Sequence, residues 1–261
     1  MSLKDFTDLC HKKLMEEQDS IALDYLMDAR GLNKESLMIH KIGYCPYGTV
    51  LPPDVRFYGE NLDQEDKRDW RYNLLGRVIV PIYDEFGSVV SLATKKPVSK
   101  GKYPWWNMPF VKSHVIYLFD KSRKSAFKLD KIYITEGYVD GLILFQNGVT
   151  NVGVLMGTAF TVRKIALIAR YTNNVCFCFD VDDNKSGQKA SDLSIALLNK
   201  FGFCNDISVI DHMPVGHDPA SYVQEYGVES FLKGERVLSK RDINKVCYRV
   251  DNREREAMYA K

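Results

Sequence analysis

Three carboxylates in this 261-residue sequence stand where a parallel sheet would present them together. Glu136 follows directly on the apolar run 132–135, and Gly137 behind it lets the backbone turn sharply. Asp180 and Asp182 follow the run 175–179; two apart in extended chain, their side chains project to one side, and Asp183 adds a further charge. Carboxylates converging at one sheet edge repel one another unless cations intervene, and oxygen donors of this kind suit Mg2+ or Mn2+. Taken singly, each has a plainer reading. An Asp after a strand is usually a helix N-cap, and Asp182 or Asp183 could cap a helix beginning near Ser186. Together, at the ends of two strands of one sheet, they point to a metal site.

The elements that must carry them alternate in character. Segments 132–135, 151–155, 174–179 and 206–210 read as strands, and 138–146, 161–171, 187–201 and 219–231 as helices. That order implies an α/β fold with a parallel sheet flanked by helices, whose ligands sit at the carboxyl ends of the strands. The N-terminal part reads as α+β. Helical spacing in the first forty residues predicts Leu9, Leu14, Ile21, Leu23, Tyr25 and Leu26 as buried, with Gly31 as a stop. Residues 46–73, with Pro52-Pro53 and Gly59, read as irregular. A hairpin follows, 77–83 and 88–93 around the turn 84–87, and Pro81 marks its strand as an edge or a bulge. The expected divisions are 1–125, 126–215 and a short helical C-terminal segment, 216–261.

Net charge is only +2, but it is unevenly spread. Residues 94–131 hold ten Lys/Arg against two Asp/Glu, a local +8 that leaves −6 for the remainder. A weaker excess, nine basic to five acidic, runs from Lys233 to Lys261 and reads first as a solvated surface. Tyr103, Trp105 and Trp106 stand inside the first stretch, where aromatic rings among lysines suit stacking on single-stranded bases; neighbouring Trp105 and Trp106 face opposite ways in extended chain, so one is expected to pack inward.

Hydrophobic content of 45% is ordinary for a globular chain. No apolar run approaches the roughly 20 residues of a membrane span, and the N-terminus lacks a signal peptide's pattern, which places the protein in a cytoplasm, a host's if its origin is viral. The six cysteines form no C-x2-C pair, so no zinc is expected. Cys176 and Cys178, two apart in an apolar run, are expected to pack on one face as thiols.

At this point the blocks of sequence become specific. Ile134-Thr-Glu136-Gly-Tyr138-Val-Asp140 resembles the Toprim glutamate motif in its primase form, E-G-Y-x-D, and Phe179-Asp180-Val-Asp182 followed by Gly187-Gln-Lys-Ala190 resembles D-x-D-x-A-G-x-x-A. Leu155-Met-Gly157-Thr158 is similar to the primase L-G-T segment. Tyr25-Leu-Met-Asp-Ala-Arg30-Gly31-Leu32, Ile42-Gly43-Tyr44-Cys-Pro46, the run from Arg77 to Gly87, and Lys102-Tyr103 before Asn107 to Pro109 resemble signatures of the DnaG polymerase domain, in family order. Two departures stand out. Gly187 lies seven residues after Asp180 rather than five, so either the loop has a two-residue insertion or the metal pair is Asp182 with Asn184. The family's P-D-G-x-D-P-D appears as Pro214-Val-Gly216-His217-Asp218-Pro219-Ala220, without its last aspartate.

The resemblance implies a DNA primase catalytic core that makes short RNA primers on single-stranded DNA from ribonucleoside triphosphates by two-metal nucleotidyl transfer. Glu136, Asp180 and Asp182, with Asp140 and Asp218, would hold Mg2+ or Mn2+. Arg77, Lys95, Lys96, Lys102, Tyr103 and Lys112 would meet template and triphosphate. A replicative helicase and a separate zinc-binding protein are further expected partners; a membrane is not. His114 and His217 are candidate proton donors, more simply read as ordinary polar side chains. A Toprim nuclease would leave the N-terminal blocks unexplained, a non-catalytic adaptor would have no need of the intact carboxylates, and a topoisomerase would need a further large domain.

Overall fold

The computed structural model describes residues 1–16, 21–51, 73–97, 105–157, 160–183, 185–202 and 205–259, with side chains to 253. The chain divides into two compact units, Met1–Val111 and Lys112–Lys261. The expected boundary near 125 falls inside a helix, Phe119–Leu129, whose Phe119 and Ala126 belong to the core of the second unit.

In the first unit, helices α1 (Leu3–Glu16), α2 (Ile21–Met27) and α3 (Lys34–Ile39) precede an antiparallel sheet of β1 (Gly43–Cys45), β2 (Arg77–Tyr83), β3 (Val89–Lys95) and β4 (Trp105–Asn107), ordered 1-2-3-4. Helix α1 buries Phe6, Cys10 and Leu14. Phe6 and Cys10 pack with Cys45, Ile79, Leu92 and Met108 of the sheet side. Gly43 admits this approach, since a Cβ there would lie 2.6 Å from the Cys10 carbonyl carbon. Expected core positions hold for Leu14, Tyr25 and Leu26, but Ile21 is 51% exposed and Ala22 is buried in its place, because Ala22, Tyr25 and Leu26 form the buried stripe of α2 at helical spacing and Ile21 lies off it. Pro81 is not on an edge strand: β2 is paired on both sides. It is tolerated because β1 pairs only Arg77 to Ile79, and a register shift follows at Ile82/Tyr83, the bulge expected of a proline in a strand. Trp106 packs against the core, and both tryptophans are half-buried.

The second unit contains α4 (Phe119–Leu129), β5 (Ile132–Thr135), α5 (Tyr138–Gln146), β6 (Val152–Val154), α6 (Val162–Ile168), β7 (Asn174–Phe177), α7 (Ser186–Phe201), β8 (Asp206–Ile210), α8 (Pro219–Tyr226), α9 (Val228–Lys233), β9 (Glu235–Val237) and α10 (Lys240–Tyr259). Its sheet runs 6-5-7-8-9, parallel through β8. Near-continuous apolar strands such as 132–135, buried at every position, are what a parallel sheet covered on both faces requires. The segment after 215 is not purely helical. β9 adds an antiparallel edge, held by Glu235, which accepts from Lys131 Nζ at 2.7 Å, Tyr133 Oη at 3.0 Å and Ser208 Oγ at 2.6 Å. The helix expected over 219–231 is broken at Gly227, whose φ of 83° no helix accommodates. Cys176 and Cys178 share a buried face with sulfurs 3.9 Å apart. Among the described residues, no helix is long and apolar enough to cross a membrane.

Helix α10 is fastened to α7 by charge. The Asp192 carboxylate, 1% exposed, accepts from Arg249 Nη2 at 2.8 Å, from Arg253 and from Gln188 Nε2 at 3.0 Å. Burial alone would raise this carboxyl, but those three donors outweigh it and hold it below the ordinary range. The folded pKa is depressed, so its contribution is present above the unfolded value and lost as acid carries the pH below about 4. Asp192→Ala is expected to cost about 2 kcal/mol, less than a fully buried pair because both guanidiniums can hydrate. Hydrogen exchange should show faster opening of α10 than of β5; unchanged α10 protection would contradict the role.

Candidate functional site

Strands β5 and β7 are hydrogen-bonded neighbours, Ile132 beside Val175 and Ile134 beside Phe177. Their connections diverge, since the chain leaves β5 for β6 on one side and returns to β7 on the other. At such a reversal the loops part and open a crevice at the carboxyl ends of the strands. Glu136 leaves β5 at that point. Strand β7 ends at Phe177 rather than 179, although Cys178 N–H still donates to Ile134 O at 2.9 Å, so Asp180 sits in the loop beyond.

That loop is clamped from two sides. Helix α7 begins hard against it: a Cβ on Gly187 would lie 2.1 Å from the Asp180 carbonyl oxygen and 3.1 Å from its amide nitrogen. On the other side Val181 N–H donates to His217 O at 3.1 Å, and Gly216 N–H donates to Val181 O at 2.7 Å. Asp182 accepts from Ser186 Oγ at 2.5 Å. Asp218 caps α8, its Oδ1 accepting from Ser221 N–H at 2.7 Å. Asp140, 5% exposed, accepts from Gly137 N–H and Ala220 N–H, each at 3.2 Å, and so ties the starts of α5 and α8 together. Asn184 lies outside the described residues, as do Lys102 and Tyr103.

The carboxylates disturb one another. Burial, then Asp180 and Asp182, push Glu136 up to about 7. Burial, then Asp218 and Asp182, push Asp180 up to about 6. Asp140 is raised well above the ordinary range by burial, Asp218 and Asp180. No lysine or arginine figures among these influences. Glu136 Oε1 and Asp180 Oδ1 are buried without a hydrogen-bond partner. A set of oxygen donors with orphaned atoms, whose charge no lysine or arginine among those influences offsets, fits a hard divalent ion. Among the described residues no three such side chains stand together closely enough to hold an ion as they are. Space is present on both flanks. A cavity of about 460 Å3 is bordered by Glu136, Gly157, Phe160, Phe179 and Lys189, and one of about 290 Å3 by Asp180, Asp182, Lys185 and Gly187.

Two lysines adjoin in this unit. Lys112 is half-buried, and burial lowers its pKa. Lys164, which the sequence did not single out, is fully buried; burial and then the Lys112 charge bring it down to about 8. Its Nζ donates to Leu155 O at 3.4 Å, beneath the left-handed Met156-Gly157 turn whose Gly157 N–H donates to Glu136 O at 3.1 Å. A lysine mid-helix reads as exposed until the fold is known, and no pattern marked it. His114 is exposed, and His217 Nε2 lies 3.2 Å from Glu225 Oε2.

The first unit carries a cationic group of its own. Lys95, 5% exposed, is lowered by burial and then by Arg30 and Arg77. Its Nζ lies 5.8 Å from the Tyr25 ring centroid, and the Arg30 guanidinium 5.2 Å from it, with Arg30 Nε donating to Tyr25 Oη at 3.0 Å. Arg77 donates to Thr94 Oγ1 at 3.3 Å. Lys96 is exposed beside them in sequence. Arg30, in the block Tyr25-Leu-Met-Asp-Ala-Arg30, is not among the cations expected from the sequence to bind; a cation five residues after a buried tyrosine is the signal the sequence offers for it.

Comparison with known proteins agrees with this layout. A family described as Toprim-like matches residues 133–223. The DNA primase of Clostridium acetobutylicum is 31% identical over 248 residues, 90% of this chain and 40% of that protein. The Aquifex aeolicus primase, solved with its zinc-binding and RNA polymerase domains, has a TM-score of 0.72 at 22% identity, covering 90% of this chain and 60% of that one. A DnaG primase catalytic domain bound to single-stranded DNA has a TM-score of 0.66 at 20% identity, covering 88% and 78%. The chain spans less than half the length of the curated relatives it matches.

Proposed function

From a chain that carries a DnaG-type primase RNA polymerase domain with its Toprim domain, we propose that it joins ribonucleotides into short primers on a single-stranded DNA template. The observation that carries this reading is the carboxylate cluster at the reversal of the parallel sheet, where burial and neighbouring carboxylates raise Glu136 and Asp180 and leave an oxygen of each unpaired, with Asp182 beside them. A Toprim domain implies use of a divalent metal. Here Glu136, Asp180 and Asp182 would hold Mg2+ or Mn2+, which when bound favours deprotonation of the primer 3′-hydroxyl and stabilises charge on the leaving pyrophosphate.

The chain's own side chains do the remaining work. Glu136 and Asp180 offer their unpaired oxygens to the site, Asp182 adds a third carboxylate on the cavity that Asp180 borders, and Asp218 adds charge while capping α8. Asp140 acts as a positioning residue, because both its oxygens already hold backbone N–H groups. Arg30, Arg77, Lys95 and Lys96, with Lys102, Tyr103 and Lys112, serve phosphate and base contacts of template and incoming nucleotide. Choice of initiation site is assigned to a replicative helicase or a separate zinc-binding protein.

The test is incubation with labelled ribonucleotides and single-stranded template. Labelled oligoribonucleotides are expected. Shortened template would mean a nuclease, and neither product a non-catalytic adaptor. In the same assay Lys95→Ala should raise the KM for template or nucleotide about tenfold with little change in kcat, as expected when a ground-state phosphate contact is lost. A kcat loss alone would contradict a binding role.

A further inference from the structure

The second basic excess along the chain has no part in the chemistry at the sheet edge. Six of its nine cations fall on α10. Val246 and Val250 of this helix are buried, while Arg241, Asn244, Lys245, Tyr248 and Arg249 face out and border an open crease of about 670 Å3. We propose that this face of α10 is a docking surface for a single strand of nucleic acid, with Arg241 and Lys245 on phosphates and Tyr248 stacked on a base.

Three independent features support that occupant. The first is unspent charge. Among the described residues the ion pairs of α10 are those of Arg249 and Arg253 with Asp192, and Arg241 and Lys245 reach no carboxylate at ion-pair distance. Since two guanidiniums share one carboxylate, the Asp192 cluster itself keeps a net positive charge. The second is the aromatic ring. Tyr248 is 68% exposed between these cations, where an isolated tyrosine has no packing role but a π-face is open to any base. The third is rigidity and spacing. Arg249 is pinned by Asp192 through Nε at 3.3 Å and Nη2 at 2.8 Å, so the backbone beside Tyr248 is held in place. Arg241, Lys245 and Tyr248 follow at four and three residues, a single stripe rising about 6 Å and then about 4.5 Å along the axis. Successive phosphates and a stacked base of an extended strand match such a ladder, whereas a duplex offers no free base to Tyr248.

Contacts along the helix pair give the stripe a direction. Asn199 meets Cys247, and Asp192 meets Arg249 and Arg253, so α10 runs antiparallel to α7. The stripe therefore follows the helix whose first turn borders Asp182. For the identity of the strand, the inference rests on the primer-synthesis reading; for binding itself it does not.

The experiment uses the full chain without nucleotide or divalent ion, so that it reads strand binding and not polymerisation. Fluorescence anisotropy with a labelled mixed-sequence single-stranded DNA is measured from about 50 to 200 mM salt. The double variant Arg241→Ala/Lys245→Ala should weaken binding about tenfold and reduce the slope of log affinity against log salt by about 1.4, two phosphates at about 0.7 each. Tyr248→Ala should weaken binding at least about fivefold with the slope unchanged, the mark of a stacking contact. Circular dichroism should show the same helix content in all three proteins. Unchanged affinity in both variants overturns the proposal, as does equal loss on blunt duplex DNA, which would make the face a general polyanion surface. Asp180→Asn, tested alongside, should bind the strand no more weakly than the parent, since it removes a negative charge and leaves α10 untouched. If Asp180→Asn still makes primers while the α10 variants lose binding, the metal assignment fails and the docking surface stands.

Discussion

Asp180→Asn is expected to lower primer synthesis by about 1,000-fold or more and, in divalent-free buffer, to raise the melting temperature. The two effects have one cause. Asparagine keeps the shape of the side chain but supplies a neutral oxygen where the proposed site needs an anionic one; losing roughly 4 kcal/mol of transition-state stabilisation corresponds to that fall in rate. The stability gain follows from the titration. Asp180 has a pKa of about 6 in the folded protein against 3.8 ordinarily, so the fold disfavours its charged form. This penalty is absent below about pH 4, grows as the pH rises through the interval up to about 6, and is complete above it. Asparagine cannot ionise and escapes it. After allowance for solvent screening the gain at pH 8 is about 1 kcal/mol, or roughly 2–4 °C.

Calorimetry and product gels on the same preparations would check both arms. Retained synthesis would remove Asp180 from the site, and a lower melting temperature would show that its charge is compensated after all. A companion measurement needs no mutation. Added Mg2+ should raise the melting temperature of the parent at pH 8 and much less at pH 5, where Glu136 and Asp180 take up protons that compete with the ion. In Asp180→Asn the pH 8 effect should be small.

Gly187→Ala is expected to damage both stability and activity. Glycine is needed here for space, not for an unusual backbone angle. The added methyl would lie 2.1 Å from the Asp180 carbonyl oxygen, and backbone on both sides leaves no flexible end to yield. Either α7 moves outward or the loop carrying Asp180 and Asp182 does, at a cost of about 3 kcal/mol. Each movement shifts Asp180 relative to Glu136, so synthesis should fall by at least about 100-fold even at temperatures where the variant is folded. Gly216→Ala is the informative contrast. Gly216 has φ of 92° and nothing within 4 Å of an added Cβ, so its cost is conformational only, about 1 kcal/mol. Equal effects from the two substitutions would argue against the close approach at Gly187.

Local chemistry carried a large part of this protein in readable form. The alternation of short apolar strands with helices declares a parallel sheet, because a strand buried on both faces must be nearly continuously apolar, as Ile132–Thr135, buried at every position, is but for Thr135. A carboxylate directly after such a strand lies at the sheet's carboxyl end, and so Glu136 could be named from spacing alone, whereas Asp180 lies past the end of β7 at Phe177, in a loop whose position the spacing did not give. Other features depend on partners distant in the chain. Pro81 marked its strand as an edge or a bulge, and only the pairing of distant segments decided between them: β1 pairs no further along β2 than Ile79, and the register shifts at Ile82/Tyr83. Arg30 joins Arg77 and Lys95 only once α2 lies over the sheet strands, and Lys164 is buried only because α6 turns it under Leu155. The C-terminal segment read as helical, yet β9 is a strand because Glu235 finds Lys131, Tyr133 and Ser208 on the sheet. Residue type and period act over a few positions and decide which elements form and what chemistry they can carry. Which buried charge meets which neighbour is settled by contacts between segments a hundred residues apart, and only the folded chain brings those into range.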